Sequence, residues 1–504
     1  MTTKEEYEYT PVAGTEESET TFNVTNGEVT IQSNKMTSES AEPTNRKFLV
    51  TLDTMFDQVY FSALSGNLLS FVTGTAIAWS SPTLPKLNDT DVGNIPFGRR
   101  IDSDENSWIG SLMPLGAIFG PFLFGFLADK LGRKVTLMSL AVPYIVSFLT
   151  LAFAEVVGLF YFARVLTGLA VGGVFTVFPM YIGEIAEDKN RGTLGSVMNI
   201  FITSGLLFSY CVGPYVSIMA FNIILAVIPC VYLVLFFLLA PESPHYHVSR
   251  DNHEAASKSL EKIRAPGTKT DAELADIKLS IEKSKEGSIG DLFASRGLVK
   301  ALTISVLLVV LQQLSGINVV LFYAQPIFQA SGSSLDSEVA SIIIGVVQFL
   351  TSFVTPMLVE RLGRKILLYF SAIGMLIAEV PLGLYFYMLN NGDDVEAISW
   401  LPVVSLMVYI ITYNCGFGPL PWAMMGELFP ANVKSVASSL TATCCWVIGF
   451  LITKFFTSIA DAMGMGPLFW LFAGFCGVAF FFTLVFVIET KGKNLQEIQD
   501  ILES

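Results

Sequence analysis

Charge is scarce in this chain. Only 15% of its 504 residues are Asp, Glu, Lys or Arg, against 52% hydrophobic residues, and the mean hydropathy is +0.57. Such a supply cannot cover a water-facing surface, which excludes an ordinary soluble domain or a string of them. Basic residues are scarcer than acidic ones, and the net charge is −14. With no basic stripe and no base-stacking module, a nucleic-acid partner is excluded as well. Histidine is nearly absent: His245, His247 and His253 share one charged stretch, with no nucleophile–base pair or phosphate-binding loop to make enzyme chemistry of them. His245 and His247 have the spacing of a metal pair but read as solvated loop residues, so no metal and no cofactor is expected. Cysteine supplies no framework either. Cys211, Cys230, Cys415, Cys444, Cys445 and Cys476 all fall in apolar runs without a CxxC pair, and they read as small packing residues. A removable signal peptide is also missing, because the first apolar run begins beyond residue 50 and has no short core with a small-residue cleavage site.

What the sequence has in quantity is long apolar runs. A helix of about 20 apolar residues crosses about 30 Å of hydrocarbon with every backbone amide paired internally. About twelve stretches qualify, near 58–80, 108–128, 135–154, 157–182, 193–215, 218–240, 299–329, 338–359, 366–389, 399–425, 436–459 and 467–488. The fold expected is an all-α membrane protein. Residues 1–54, polar, acidic and rich in Thr, Ser and Glu, read as a disordered tail. A six-helix bundle over 55–240, a charged linker over 241–298, a second six-helix bundle over 299–488 and a short tail over 489–504 complete the division. The linker stretches "EAASKSLEKIRA" and "DAELADIKLSIEK" carry helical spacing and predict short helices.

Placing the N-terminal tail in the cytoplasm gathers the Lys and Arg residues on one side. Only Lys86, Arg99 and Arg100 are left on the other, with Arg164 and Lys454 in or near the membrane. Both termini are therefore expected in the cytoplasm. The same topology puts Asn88-Asp89-Thr90, a glycosylation sequon, in the first outer loop, while the sequon at Asn23 faces inward and stays bare.

The two halves repeat one another. "GFLADKLGRK" at 125–134 answers "PMLVERLGRK" at 356–365, and "YIGEIAEDKNRG" at 181–192 answers "MMGELFPANVKS" at 424–435. "PESP" at 241–244 and "IETKG" at 488–492 form a weaker third pair. The charged residues of these motifs, Asp129, Arg133, Glu184, Arg191 and Glu242 in one half and Glu360, Arg364, Glu427, Lys434 and Glu489 in the other, all fall at the cytoplasmic ends. Glu184 is expected to pair with Arg191 and Glu427 with Lys434. Two bundles clamped there by ion pairs, and released as they rock, would form a gate.

Over roughly residues 55–495 the sequence resembles the sugar porters of the major facilitator superfamily. The matching stretches are "GFLADKLGRK", "RVLTGL", "PMYIGEIAEDKNRG", "PESP", "QQLSGIN", "VERLGRK", "GFGPLPW" and "ETKG" in that order. "SSPTLPKL" at 80–87 and "SWIGSLMPLGAIFG" at 107–120 look most like insect facilitated trehalose transporters and their vertebrate intracellular glucose-transporter relatives. The resemblance implies a plasma-membrane protein whose partners are a sugar and the lipid bilayer, with no obligate protein partner evident.

A sugar offers hydroxyls and an apolar C–H face, which amides beside an indole complement without charge. Gln312, Gln313 and Asn318 supply three amides in the seventh span; at about 100° per residue Gln312 and Asn318 lie about 120° apart, so one straight face does not hold them all, and the nearby Gly316 is a residue that permits a break. The resemblance adds Gln348 in the eighth span, Trp422 in the tenth, Trp446 in the eleventh and a gating role for Tyr323. It also exposes departures. Asn199 replaces a Gln, Cys445 an Asn and Asn414 a carboxylate of the hexose carriers, and Phe322 stands where Tyr is frequent. The first three remove polar reach, which is consistent with a roomier pocket and a disaccharide such as trehalose and equally with another hexose, so a glucose or hexose facilitator stands as the alternative. No Asp, Glu, Lys or Arg occurs from 58 to 85, so the acid that couples protons in related symporters is missing from the first span, and a uniporter is expected. The competing class is a non-transporting sugar sensor, which would call for a longer cytoplasmic extension.

Overall fold

The computed structural model describes residues 20–25, 28–33, 58–89, 95–264, 270–284, 289–333, 335–493 and 495–503. It divides into two compact units, residues 1–56 and 57–504. In the first, Thr20–Thr25 and Glu28–Ser33 pair as an antiparallel hairpin in register Thr20↔Ser33 to Thr25↔Glu28. Its two runs, rich in Thr, Val, Phe and Ile, flank Asn26-Gly27. The rest of the tail expected to be disordered lies outside the described residues.

In the second unit, twelve helices among the described residues are long and apolar enough to cross a membrane. They are Gln58–Leu87, Ser103–Leu131, Arg133–Phe153, Val157–Ile185, Gly192–Tyr215 and Ile218–Leu239 in the first half, and Arg296–Leu314, Ser337–Val359, Arg364–Asn391, Glu396–Leu428, Asn432–Met463 and Met465–Val485 in the second. A belt of exposed apolar side chains, including Phe119, Phe122, Phe126, Phe237, Leu238 and Phe481, gives them a lipid-facing surface.

Within a half, small residues let backbones touch. Spans 2 and 4 interlock through Gly116 against the Val165 carbonyl and Gly168 against the Met113 carbonyl, where a Cβ would collide. Spans 1 and 5 repeat the device with Gly74 and Gly205. The linker folds as helices His253–Ile263 and Asp271–Ser284, where its spacing predicts them, and as a further short helix, Pro244–Ser249. A last helix, Leu495–Glu503, docks beneath the second half, where Gln499 Nε2 donates to the Leu428 carbonyl at 2.7 Å.

The repeated decapeptide is a turn without a loop. Gly132 (φ 97°) and Gly363 (φ 86°) each end one span and start the next in a conformation that glycine adopts at no steric cost. Glu242 and Glu489 fill the space where a Cβ would stand and cap the helix that follows. Glu242 Oε1 accepts from the Arg133 and Lys134 N–H groups at 2.8 and 3.0 Å, and Glu489 accepts from those of Arg364 and Lys365 at 3.0 and 2.9 Å. Carboxylates at helix N-termini are favoured by the unpaired N–H groups there. Each guanidinium then reaches a third span: Arg133 to Glu184 at 2.9 Å and Arg364 to Glu427 at 2.8 Å. The weaker third echo has the same geometry, since Ser243 donates to Glu184 and Thr490 to Glu427.

Candidate functional site at the broken seventh and tenth spans

Two spans are interrupted. The seventh runs Arg296–Leu314, then Ile317–Phe322, then Ala324–Ser331, and the first break sits at Gly316, φ 82°, where a Cβ would meet the Phe472 ring at 2.7 Å. The tenth runs Leu401–Cys415, then Leu420–Leu428, with "GFGP" between. Irregular backbone at membrane depth must find partners inside the protein. Gln312 provides them for the tenth span: its Nε2 donates to the carbonyls of Phe417 at 2.5 Å and Gly418 at 2.9 Å.

The break also gathers the amides that a straight helix would hold apart. Asn318 Nδ2 donates to Gln313 Oε1 at 2.6 Å, and Gln313 Nε2 donates onward to Cys445 Sγ at 3.1 Å. Gly449 on span 11 makes room for this pair, since a Cβ there would lie 2.8 Å from Asn318 Nδ2. Cys445 is thus a hydrogen-bond acceptor as well as a packing residue. Asn414 donates to Thr351 Oγ1 at 2.8 Å on span 8. Gln348 Oε1 and Trp446 Nε1 are buried with no hydrogen-bond partner. Asn199 is half-buried on span 5. Phe175 of span 4 joins the halves at this level, stacking on Trp422 with ring centroids 6.0 Å apart and meeting Trp446 edge-on at 5.7 Å. Nothing in the sequence marks Phe175. Glu379, an acid within an apolar run, is buried in span 9 with Cys476 Sγ 3.4 Å from its carboxyl.

At the end away from the Gly-Arg-Lys turns, the two halves are stitched together. Phe322 lacks a helical partner because the residue four places on is Pro326, which has no N–H. Its carbonyl accepts from Ser80 Oγ of the first half at 3.0 Å. The Gln325 N–H turns to Ser81 Oγ at 3.0 Å, which leaves the Leu321 carbonyl to accept from the Tyr210 hydroxyl at 2.8 Å. Nearby, Lys454 bonds Asp104 at 2.6 Å and Ser107 at 2.7 Å and stands 4.1 Å over the Trp108 ring. Tyr323, expected at a gate, is buried in this layer against Gly110, its hydroxyl donating to the Thr453 carbonyl at 3.3 Å.

At the opposite, Gly-Arg-Lys end, ion pairs form within each half. Arg133 pairs with Glu184 and, at 3.5 Å, with Asp129, all in the first half; Arg364 pairs with Glu427 in the second. Lys434 brings its ammonium 3.8 Å from the Cβ position of Gly426. The side chains of Arg191 and Glu360 lie outside the described residues. Asn88 is exposed, and Thr90 of its sequon is likewise outside the described residues.

Twelve spans in two alike halves, joined at one end and broken at membrane depth beside buried amides, define a membrane transporter of the major facilitator type. The profile of the family described as "Sugar (and other) transporter" matches residues 97–502, and the chain belongs to that family. It is 38% identical to the facilitated trehalose transporter Tret1 of Culex quinquefasciatus over 88% of this chain and 85% of that one. The Bombyx mori protein of the same name is 39% identical over 88% of this chain and 86% of its own length. The chain spans 55% of the longer Anopheles gambiae protein, at 38% identity. Among solved structures, the inward open conformation of the xylose transporter XylE from E. coli superposes with a TM-score of 0.73 at 25% identity, covering 88% of this chain and 99% of that one.

Proposed function

We propose that the protein is a facilitative transporter that moves trehalose down its concentration gradient by alternating access. The observation that carries this reading is the broken seventh span. It brings Gln313 and Asn318 together and ties Gln312 to the break in span 10, beside a buried acceptor, Gln348 Oε1, and a buried donor, Trp446 Nε1, that have no protein partner. Buried polar atoms without partners cost free energy, and sugar hydroxyls are of the kind that would satisfy both. Trp422, Trp446 and Phe175 add apolar faces for the C–H side of a sugar ring, while Asn199 and Asn414 complete the polar lining.

The Gly-Arg-Lys end is the cytoplasmic one on the distribution of Lys and Arg, with both termini inside and the chain in the plasma membrane. The stitched end is then outer, and this conformation is closed to the outside. In each half the paired Arg133–Glu184–Glu242 and Arg364–Glu427–Glu489 sets hold three spans as one body. Those bodies rock, and Asp129, Arg191, Glu360 and Lys434 meet across the halves when the cytoplasmic side closes.

Uptake of labelled trehalose and labelled glucose into oocytes expressing the chain, over a range of external pH, tests the reading. Saturable trehalose uptake indifferent to pH supports it. Glucose uptake alone would make the protein a hexose facilitator. Uptake driven by an inward proton gradient would overturn the uniporter and point to Glu379, the buried acid of span 9. Absence of flux for both sugars would leave the sensor class.

A further inference from the structure

Above the stitched layer, on the outer side, lies a second cavity of about 550 Å³, within the range of small-molecule sites. It is walled by the end of span 1, by Asn106 of span 2 and by residues of spans 7 and 8, so both halves contribute. Gln325 is 4% exposed, and its Nε2 is already given to Glu338 Oε1 at 3.0 Å. Its carbonyl oxygen Oε1 is buried with no partner, and so is Oδ1 of Asn106. Two orphaned acceptors among the lining residues, one from each half, call for a ligand that donates.

The rest of the lining narrows the class. Asp89 and Glu338 outweigh Lys86 in charge, and Lys86 already donates to the Gly213 and Val216 carbonyls, so an anion such as a phosphorylated sugar is disfavoured. Asn106, Gln325 and Gln329 offer amides that both donate and accept, and Pro85 and Pro326 supply rigid C–H faces. A neutral polyhydroxylated molecule fits this chemistry. The position adds a reason: the backbone N–H of Gln325 is one of the bonds that close the layer beneath, to Ser81 of the other half.

We propose that this cavity is an outer sugar station, separate from the central amide site and accessible from outside while the central site is sealed from it. The inference rests on the sugar-transport reading. A sugar held there contacts both halves at the seam that must open, so the station is the first stop of inward transport.

The test is protection of a cysteine. Gln329, exposed on the cavity wall, is replaced (Gln329→Cys) in the full chain, and the rate of labelling by a membrane-impermeant thiosulfonate is read on intact cells, above the wild-type background of native thiols. Millimolar trehalose should slow labelling severalfold with saturation, whereas sorbitol at equal osmolarity should not. Protection must persist when Gln313→Ala and Gln348→Ala are added to disable the central site. Protection that vanishes with those changes would place the sugar in the centre and overturn the outer station, as would no protection at all. Transport is read in parallel with the wild-type chain. Normal flux without protection sinks only the station, while protection without flux upholds it and sinks the transporter reading.

Discussion

On the topology proposed above, Tyr210→Phe removes one hydroxyl and nothing else from the outer seam. In the structure that hydroxyl donates to the Leu321 carbonyl at 2.8 Å, a group freed because the Gln325 N–H is diverted to Ser81. In the closed-outside state the change leaves a buried carbonyl without a partner; once the outer ends part, water can supply one. A buried unpaired group in water-soluble proteins costs about 1–3 kcal/mol. Hydrogen bonds between membrane helices measure lower, averaging about 0.6 and reaching about 1.7 kcal/mol. The membrane figures apply here, and they correspond to a shift of about 3- to 20-fold toward the outward-facing state. A passive carrier biased outward returns empty more readily in one direction, so the ratio of maximal influx to maximal efflux should rise toward that factor, with surface expression unchanged. Equal loss in both directions would show that Tyr210 merely holds the fold, and an unchanged ratio would refute the account of the seam.

Gln348→Leu should leave stability in detergent unchanged or slightly raised, since it deletes an unpartnered buried acceptor, yet raise the KM for sugar about tenfold, equivalent to about 1.4 kcal/mol of lost binding; a melting curve and an uptake series on the same preparation separate the two effects. Gly449→Ala places a methyl 2.8 Å from Asn318 Nδ2 and 3.3 Å from Gln313 Oε1, and uptake should fall severalfold while the amount of protein at the surface is kept. Glu489 lies outside the spans. Burial pushes its carboxyl up, but the N–H donors of Lys491, Lys365 and Arg364 together outweigh burial and hold it below the ordinary carboxylate range. A depressed folded value means stability present above the unfolded value and lost as pH falls through the folded one, so Glu489→Gln should lower the melting temperature at neutral pH, with the difference from wild type closing only under strong acid.

The spans were legible because hydrocarbon demands length and apolarity, and the sequence shows both directly. Legible too was the echo at Gly132 and Gly363, but not its meaning as a turn. That depends on Glu242 and Glu489 occupying the glycine's vacant space from a hundred or more residues away. Helical angles showed that Gln312 and Asn318 could not share one straight face and that Gly316 permits a break. What the break does with each amide could not be read. Gln312 spends its donors on the backbone of span 10, a partner defined only after both breaks form. Cys445, counted as a loss of polarity, accepts from Gln313 because the helices bring a thiol within reach. Lys454, placed by its sequence position only in or near the membrane, joins Asp104, Ser107 and Trp108 across the halves. Phe175 and Tyr210 carry no motif, and Ser80 and Ser81 belong to a quoted stretch that says nothing of their bonds, because these roles arise from which surfaces of the two halves meet.

Counterflow tests the central claim most directly. The purified chain is placed in liposomes loaded with unlabelled trehalose and diluted into a trace of labelled trehalose, with no pH gradient and no membrane potential. A carrier that alternates between two faces must accumulate label transiently above equilibrium, because outgoing sugar returns the binding site loaded, and the account predicts that overshoot, reduced in Gln348→Leu. Label that only climbs to equilibrium, or does not enter at all, would contradict it.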